Sequence, residues 1–169
     1  MKIKIFIGII LSFGFSIVSG FQWPVSDVVL TSVFGENKYN QFVNGVEFEG
    51  ENQDVYPIDS GELVFYSRHG ASPLDLPSGL GDYVVYQHNN GIRSLYGHLK
   101  GNSINSKKNN VSKTDTIGSM GTTGSAVSPM LFLQVIDTEF EKYINPLLSL
   151  PLLTDNSSPL IQEVYILKD

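Results

Sequence analysis

Short runs of apolar and β-branched residues recur along this chain, separated by segments rich in Gly, Pro, Asn, Asp and Ser. Alternation of apolar and polar residues within such runs is typical of β-strands. After residue 20 no long segment keeps a helical period, and 140–150 is at most a short helical turn interrupted by Pro146. The pattern therefore predicts an all-β domain, with strands over 28–33, 43–49, 61–67, 82–88, 92–99, 116–120 and 131–136.

The clearest unit in this pattern is a β-hairpin over 81–99. Between its two strand-forming runs lies Asn89-Asn90-Gly91, which suits the positive φ angles of a tight hairpin turn. The second strand ends in Tyr96-Gly97-His98-Leu99, where the glycine allows close approach of another backbone. Taken alone, His98 is most simply interpreted as a hydrogen-bonded, half-buried sheet residue.

The N-terminus has the pattern of a secretory signal peptide. Lys2 and Lys4 precede an apolar run over 5–18, and Val18-Ser19-Gly20 offers small residues for cleavage. An uncleaved anchor is the alternative, but the run is shorter than the roughly 18 apolar residues of a spanning helix. We therefore predict a signal peptide over 1–20, no stable transmembrane helix after cleavage, and export across the inner membrane to the periplasm or cell envelope.

The remaining chain is long enough for one domain with a sizeable core, which we predict over 21–150. The chain contains no cysteine, so no disulfide can stabilise it. The tail over 151–169 contains a linker-like segment at 154–159. After that segment, alternation over 161–167 predicts one more strand at the edge of the same domain.

Charge narrows the class of partner. The formal net charge is −6, and removal of Lys2 and Lys4 leaves 9 basic against 17 acidic residues, or about −8. Such a surface gives no general attraction to nucleic acid, anionic lipid or anionic wall polymers. We expect no nucleic-acid partner, and any envelope ligand must be recognised by shape and local groups.

Six motifs occur in the same order and at similar spacing as in one known family. Together they cover about 28–148: Leu30-Thr31-Ser32-Val33-Phe34-Gly35, Asn44-Gly45-Val46-Glu47-Phe48, the segment 55–67 around Gly61, Tyr96-Gly97-His98-Leu99, Ile117-Gly118-Ser119-Met120-Gly121-Thr122-Thr123-Gly124 and Ile144-Asn145-Pro146. This order resembles the LytM or lysostaphin-type zinc peptidases. The resemblance implies the duplicated hybrid motif fold, a twisted antiparallel β-sheet sandwich with a groove, in secreted proteins that cut peptide bonds of bacterial peptidoglycan.

The chain departs from the family pattern at the positions that carry chemistry. The family binds zinc through H-x-x-x-D and the second histidine of H-x-H, and three such ligands leave a fourth position for an activated water. Here Val43 and Glu47 replace the first pair, while Met130 and Phe132 replace the catalytic and zinc-binding histidines of the second motif. His98 is the surviving catalytic position. Because Val43 and Phe132 have no lone pair to donate, we expect neither zinc nor catalysis.

Three functional hypotheses remain open. The favoured one is a pseudopeptidase whose groove binds a peptidoglycan stem peptide or a cell-wall hydrolase such as an amidase. The second is a working endopeptidase with non-standard ligands, and a metal site relocated to His69 or His88 is a less favoured variant of it. The third is a structural envelope domain in which the apolar replacements pack the groove shut. The predicted groove residues are Val43, Glu47, Tyr96, His98, Met130 and Phe132.

Overall fold

The structure, a computed structural model, describes residues 20–38, 40–68 and 79–152. Residues 1–19 of the predicted signal peptide, His69 and the strand predicted over 161–167 lie outside these residues. Among the residues described, no helix has the length and apolar character needed to cross a membrane.

Strands and turns make up the described ranges, which contain no α-helix, so the all-β prediction is confirmed. The single helical turn is a 3-10 turn at Pro146–Leu148. All strand pairs are antiparallel. The strands are β1 Leu30–Ser32, β2 Asn37–Lys38, β3 Gln41–Phe42, β4 Val46–Glu49, β5 Asp54–Val55, β6 Gly61–Ser67, β7 Asp82–His88, β8 Ile92–Leu99, β9 Asn110–Val111, β10 Gly118–Ser119, β11 Met130–Asp137 and β12 Lys142–Ile144.

Eight of these strands form one large sheet. Its order is β1-β4-β11-β8-β7-β6-β9, with β12 also paired to β11. Two small ladders, β5 with β10 and β2 with β3, lie off this sheet. Because β11 lies between β4 and β8, it brings residues that are far apart in sequence onto one surface.

The predicted hairpin is present as β7 and β8, and Gly91 in its turn has a φ of +74°. The predicted strands over 61–67, 82–88 and 92–99 agree with β6, β7 and β8. The strand predicted over 43–49 is wrong in its first half, because β3 ends at Phe42 and β4 begins only at Val46. The two-residue strands β5 and β9 were not predicted, since such short runs form only where a distant partner is present.

The hydrophobic core lies on one face of the sheet because side chains alternate along each strand. Val46 and Phe48 of β4 are fully buried, as are Leu131 and Leu133 of β11. The register pairs Leu131 with Phe48 and Leu133 with Val46, so these side chains form one layer. Tyr96 of β8 lies opposite Leu133 and joins that layer. The residues that alternate with them face the other side of the sheet.

Candidate functional site

A cavity of about 400 Å³ opens on the sheet face opposite the core. We refer to it as the groove. Five of the six residues predicted to form a groove line it, so the structure brings them together. The apolar replacements leave this space open and do not pack it shut. The residues that line the groove are Lys38, Phe42, Val43, Glu47, His98, Ser125, Val127, Met130 and Phe132.

The register of the strands determines which residues form the floor of the groove. Phe132 of β11 pairs with Glu47 of β4 on one side and with Gly97 of β8 on the other. Met130 lies two residues before Phe132 and therefore shares its face. Both side chains are about 8% exposed, so they are mostly buried while still bordering the cavity.

Gly45 allows the Phe132 ring to lie against the backbone that enters β4. A Cβ atom added at Gly45 would come within 2.7 Å of Cζ of Phe132 and 2.4 Å of the carbonyl oxygen of Leu133. Real Cβ contacts are not this short, so any side chain at position 45 would displace the ring or the strand. The packing of Phe132 against this backbone therefore requires glycine at position 45.

Tyr96 does not line the groove, so that part of the site prediction is wrong. Its side chain is fully buried in the core, where its hydroxyl accepts a hydrogen bond of 2.7 Å from the backbone N–H of Ile58. Burial raises the pKa of the Tyr96 hydroxyl above its usual value. The physical reason for the error is the two-residue period of β8, which points Gly97, and not Tyr96, toward the groove.

A β-bulge turns His98 toward the groove. Tyr96 pairs with Val84 and Leu99 pairs with Asp82, so β8 has one more residue than β7 over this interval. His98 takes up the extra length with a φ of +61°, in the left-handed region that few non-glycine residues adopt. Strict alternation would have placed its imidazole on the core side with Tyr96.

The surroundings of His98 favour a neutral imidazole. Its Nδ1 lies 2.9 Å from the carbonyl oxygen of Thr123, so Nδ1 carries the proton and donates it. Burial lowers the pKa of His98, although the Thr123 carbonyl and the Glu47 carboxylate partly oppose this. The Phe132 ring lies edge-on to the imidazole, with centroids 6.3 Å apart. In this tautomer Nε2 is the hydrogen-bond acceptor of the ring.

Glu47 is paired with a lysine that the sequence analysis did not single out. The Nζ atom of Lys38 lies 2.6 Å from Oε2 of Glu47, and the two side chains are 36% and 14% exposed. Lys38 belongs to β2, which forms a separate ladder with β3 beside the groove. The Glu47 carboxylate is therefore compensated by a positive charge of the same chain.

A comparison of sequences identifies the family of this groove-bearing domain. The profile described as Peptidase family M23 matches residues 41–146, which is more than half of the chain. The chain belongs to peptidase family M23. A direct comparison with curated protein sequences gives no match.

Solved structures share this M23 fold. One is a zinc containing peptidase from Vibrio cholerae, with a TM-score of 0.61 and 24% identity over 75% of this chain and 39% of that chain. Another is the catalytic domain of the antimicrobial peptidase lysostaphin from Staphylococcus simulans, with a TM-score of 0.60 and 23% identity over 71% of this chain and 90% of that chain. A third is from the SpoIIQ-SpoIIIAH pore forming complex, with a TM-score of 0.63 and 19% identity over 78% of this chain and 90% of that chain. At these identities the likeness establishes the fold.

The residues of this M23 domain that replace the family's ligands do not fit zinc. Val43 and Phe132 offer no donor atom, and the carboxylate of Glu47 is in contact with the Lys38 ammonium. Over residues 20–38, 40–68 and 79–152, no three His, Cys, Asp or Glu side chains come together as a possible metal site. The side chains at positions 43, 47 and 132 therefore do not supply the three ligands of the family's zinc site.

His88 does not offer a substitute ligand. Its Nδ1 lies 2.9 Å from the carbonyl oxygen of Ser60, and its Nε2 lies 2.8 Å from the hydroxyl of Ser94. Since a carbonyl can only accept, Nδ1 carries the proton and Nε2 accepts from Ser94. Burial lowers the pKa of His88. Both ring nitrogens of His88 are therefore used in hydrogen bonds within the protein.

Proposed function

We propose that this M23 domain is a catalytically inactive member of the family that acts in the bacterial cell envelope as a peptide-binding module. The peptide belongs either to a peptidoglycan stem or to a murein hydrolase such as an amidase. The observation that carries the proposal is a groove that stays open although apolar residues and an ion pair replace its metal ligands.

The arrangement of the groove supports the absence of catalysis. Hydrolysis by a zinc peptidase needs three protein ligands and a metal-bound water whose pKa falls to about 7. The residues that line this groove include one neutral imidazole, that of His98, and one carboxylate that is already paired with an ammonium. Met130 stands where the resemblance places the second proton-transfer histidine, and a thioether does not transfer protons.

The composition of the groove supports binding. An apolar surface with a few convergent polar groups is usual for a binding cleft, and a volume of about 400 Å³ is in the ordinary range. Phe42 and Val127 border it and are 78% and 96% exposed, so a bound peptide would cover apolar surface that otherwise faces water. The SpoIIQ-SpoIIIAH pore forming complex contains a protein of this fold together with another protein.

A working endopeptidase with non-standard ligands is the second candidate, because His98 is retained and lines the groove. Metal analysis after purification in zinc-containing buffer separates the two functions. We expect well under one zinc per chain and no release of peptide fragments from purified peptidoglycan. Near-stoichiometric metal together with fragment release would contradict the proposal and establish the peptidase.

The binding role is tested by sedimentation with purified peptidoglycan and by titration with a purified murein amidase. Phe42→Thr combined with Val127→Thr removes the exposed apolar border of the groove. Phe140→Thr is the matched control, because Phe140 is 63% exposed at the opposite end of β11. We expect the double variant, and not the control, to lose binding to one of the two partners. Binding to neither partner by the parent protein would contradict the proposal.

A further inference from the structure

The groove combines apolar walls with one charge of each sign. Phe42, Val127 and the floor residue Phe132 supply apolar surface, while Lys38 and Glu47 are 2.6 Å apart. Lys38 reaches Glu47 from the β2–β3 ladder, and Glu47 projects from β4 of the main sheet. The ion pair therefore joins two elements that have no strand pairing with each other. It also means that the negative charge of Glu47 is neutralised by the positive charge of Lys38 within the groove.

We propose that Lys38 is a specificity-determining residue: by neutralising Glu47 within the chain, it makes the groove select an uncharged apolar side chain of a peptide over a basic or acidic one. This inference rests on the proposed peptide-binding function and names the ligand class of that same groove.

Competition within the chain explains why a basic ligand is disfavoured. A ligand ammonium can reach the Glu47 carboxylate only by displacing the Lys38 ammonium, whose effective concentration is on the order of mM or more because both groups belong to one chain. A ligand carboxylate faces the same obstacle at Lys38, and the net charge of −6 opposes its approach. An uncharged side chain disturbs neither group and gains contact with the apolar walls.

The shape of the groove supports an apolar occupant. The exposed Phe42 and Val127 lie at its border, and the mostly buried Met130 and Phe132 lie at its floor. Methionine adapts to differently shaped apolar partners because its side chain is flexible. An apolar side chain that enters the groove therefore meets apolar groups both at its border and at its floor.

His98 reports on both charges without any ligand. The His98 imidazole lines the same groove as Lys38 and Glu47, and its pKa is raised by Glu47 and lowered by Lys38. Lys38→Gln should therefore raise the pKa of His98, and Glu47→Gln should lower it.

The test uses three small probes, N-acetyl-leucine, N-acetyl-lysine and N-acetyl-glutamate methylamides, titrated against the full chain and followed by NMR shifts of the Gly45 and Gly97 amides. In the parent protein we expect the leucine probe to bind best. Lys38→Gln should improve binding of the lysine probe about tenfold, and Glu47→Gln should do the same for the glutamate probe, since a bond to a charged group contributes about that factor. The double variant should return to the leucine preference.

Lys38→Arg is the matched control, because it keeps the positive charge and should keep the leucine preference. An order of probes that does not change in Lys38→Gln or Glu47→Gln would overturn this inference and leave the binding function standing. Binding of no probe to any variant would overturn both. If Lys38→Gln does not fold, the other two variants test the inference. Glu47→Gln must change the order of probe affinities, and the double variant must restore the preference for the leucine probe.

Discussion

Replacement of Phe132 by alanine tests whether the groove is open in solution. Phe132 is about 8% exposed, so its ring is nearly as well buried as a core residue. Burial of a phenylalanine contributes about 1.5 to 3 kcal/mol, and in a closed core the empty space left behind raises the cost of truncation to about 3 to 5 kcal/mol. Here the vacated space joins a cavity of about 400 Å³ that water can enter. We therefore expect Phe132→Ala to cost about 2 kcal/mol, without the cavity contribution.

Leu133→Ala is the internal control for this prediction. Leu133 is the next residue of β11, is fully buried, and faces the closed core. We expect its truncation to cost about 3 to 5 kcal/mol, as leucine truncations in closed cores do. The difference between neighbouring residues of one strand then measures the openness of the groove face.

Urea unfolding followed by tryptophan fluorescence provides the assay. Trp23 is the only tryptophan, and its ring packs edge-on against Phe48 of the core at 6.1 Å. Equal m-values for the parent and both variants are required before midpoints are compared as free energies of unfolding. If Phe132→Ala costs as much as Leu133→Ala, Phe132 belongs to a closed core and the reasoning that makes it the floor of a groove is refuted.

Three further predictions concern the metal, pH and backbone packing. Histidine or aspartate restored at the three ligand positions and at the catalytic position, together with Lys38→Gln, should produce zinc binding measurable by metal analysis, whereas single changes should not. A folded fivefold variant without zinc would show that these positions do not converge on a metal site. The variant carries Val43→His, Glu47→Asp, Met130→His, Phe132→His and Lys38→Gln. Burial lowers the pKa of His88 in the folded protein, so as the pH falls the unfolded chain binds a proton at this residue before the folded chain does. The contribution of His88 to the free energy of unfolding should therefore be constant above about pH 6.5. Below that pH it should fall by at most about 1.4 kcal/mol per pH unit. His88→Gln should flatten that slope in urea midpoints measured between pH 7 and 5, and an unchanged slope would contradict the assignment. Gly45→Ala should lower the free energy of unfolding by more than about 1 kcal/mol, because a Cβ atom there would overlap the Phe132 ring, and a neutral effect would contradict the observed packing.

Local pattern was enough to predict the hairpin and its neighbours. The runs at 61–67, 82–88 and 92–99 have strong β-forming residues bounded by turns, and they became β6, β7 and β8 with the predicted bounds. The groove positions Val43, Glu47, Met130 and Phe132 came from a resemblance of motifs, and the structure places them around one cavity. Strand register explains this result, because β4 and β11 are neighbours and their alternate residues share a face.

Two features of the site could not be predicted, for different physical reasons. The regular alternation of β8 places Tyr96 in the core, whereas one extra residue between Tyr96 and Leu99 turns His98 toward the groove. The glycine before His98 was the only local signal. Lys38 was not predicted because its partner depends on how the β2–β3 ladder lies beside β4, and the local pattern of the eight residues between Lys38 and Glu47 does not determine that distance.

The ion pair also explains why the rescue of zinc binding needs a fifth substitution. A carboxylate as little exposed as that of Glu47 requires a nearby positive charge, since burial of an unpaired charge is costly. In the family the resemblance assigns that charge to zinc, and in this chain Lys38 supplies it. Unit charges about 4 Å apart interact by about 4 kcal/mol at an effective dielectric constant of 20, and the repulsion between an ammonium and a divalent ion is about twice as large before solvent screening. Lys38 is partly exposed and can swing away at a smaller cost, so the fourfold variant that retains Lys38 should bind zinc more weakly than the fivefold variant. Equal zinc affinities in the two variants would mean that the Lys38 ammonium does not lie where the metal would bind.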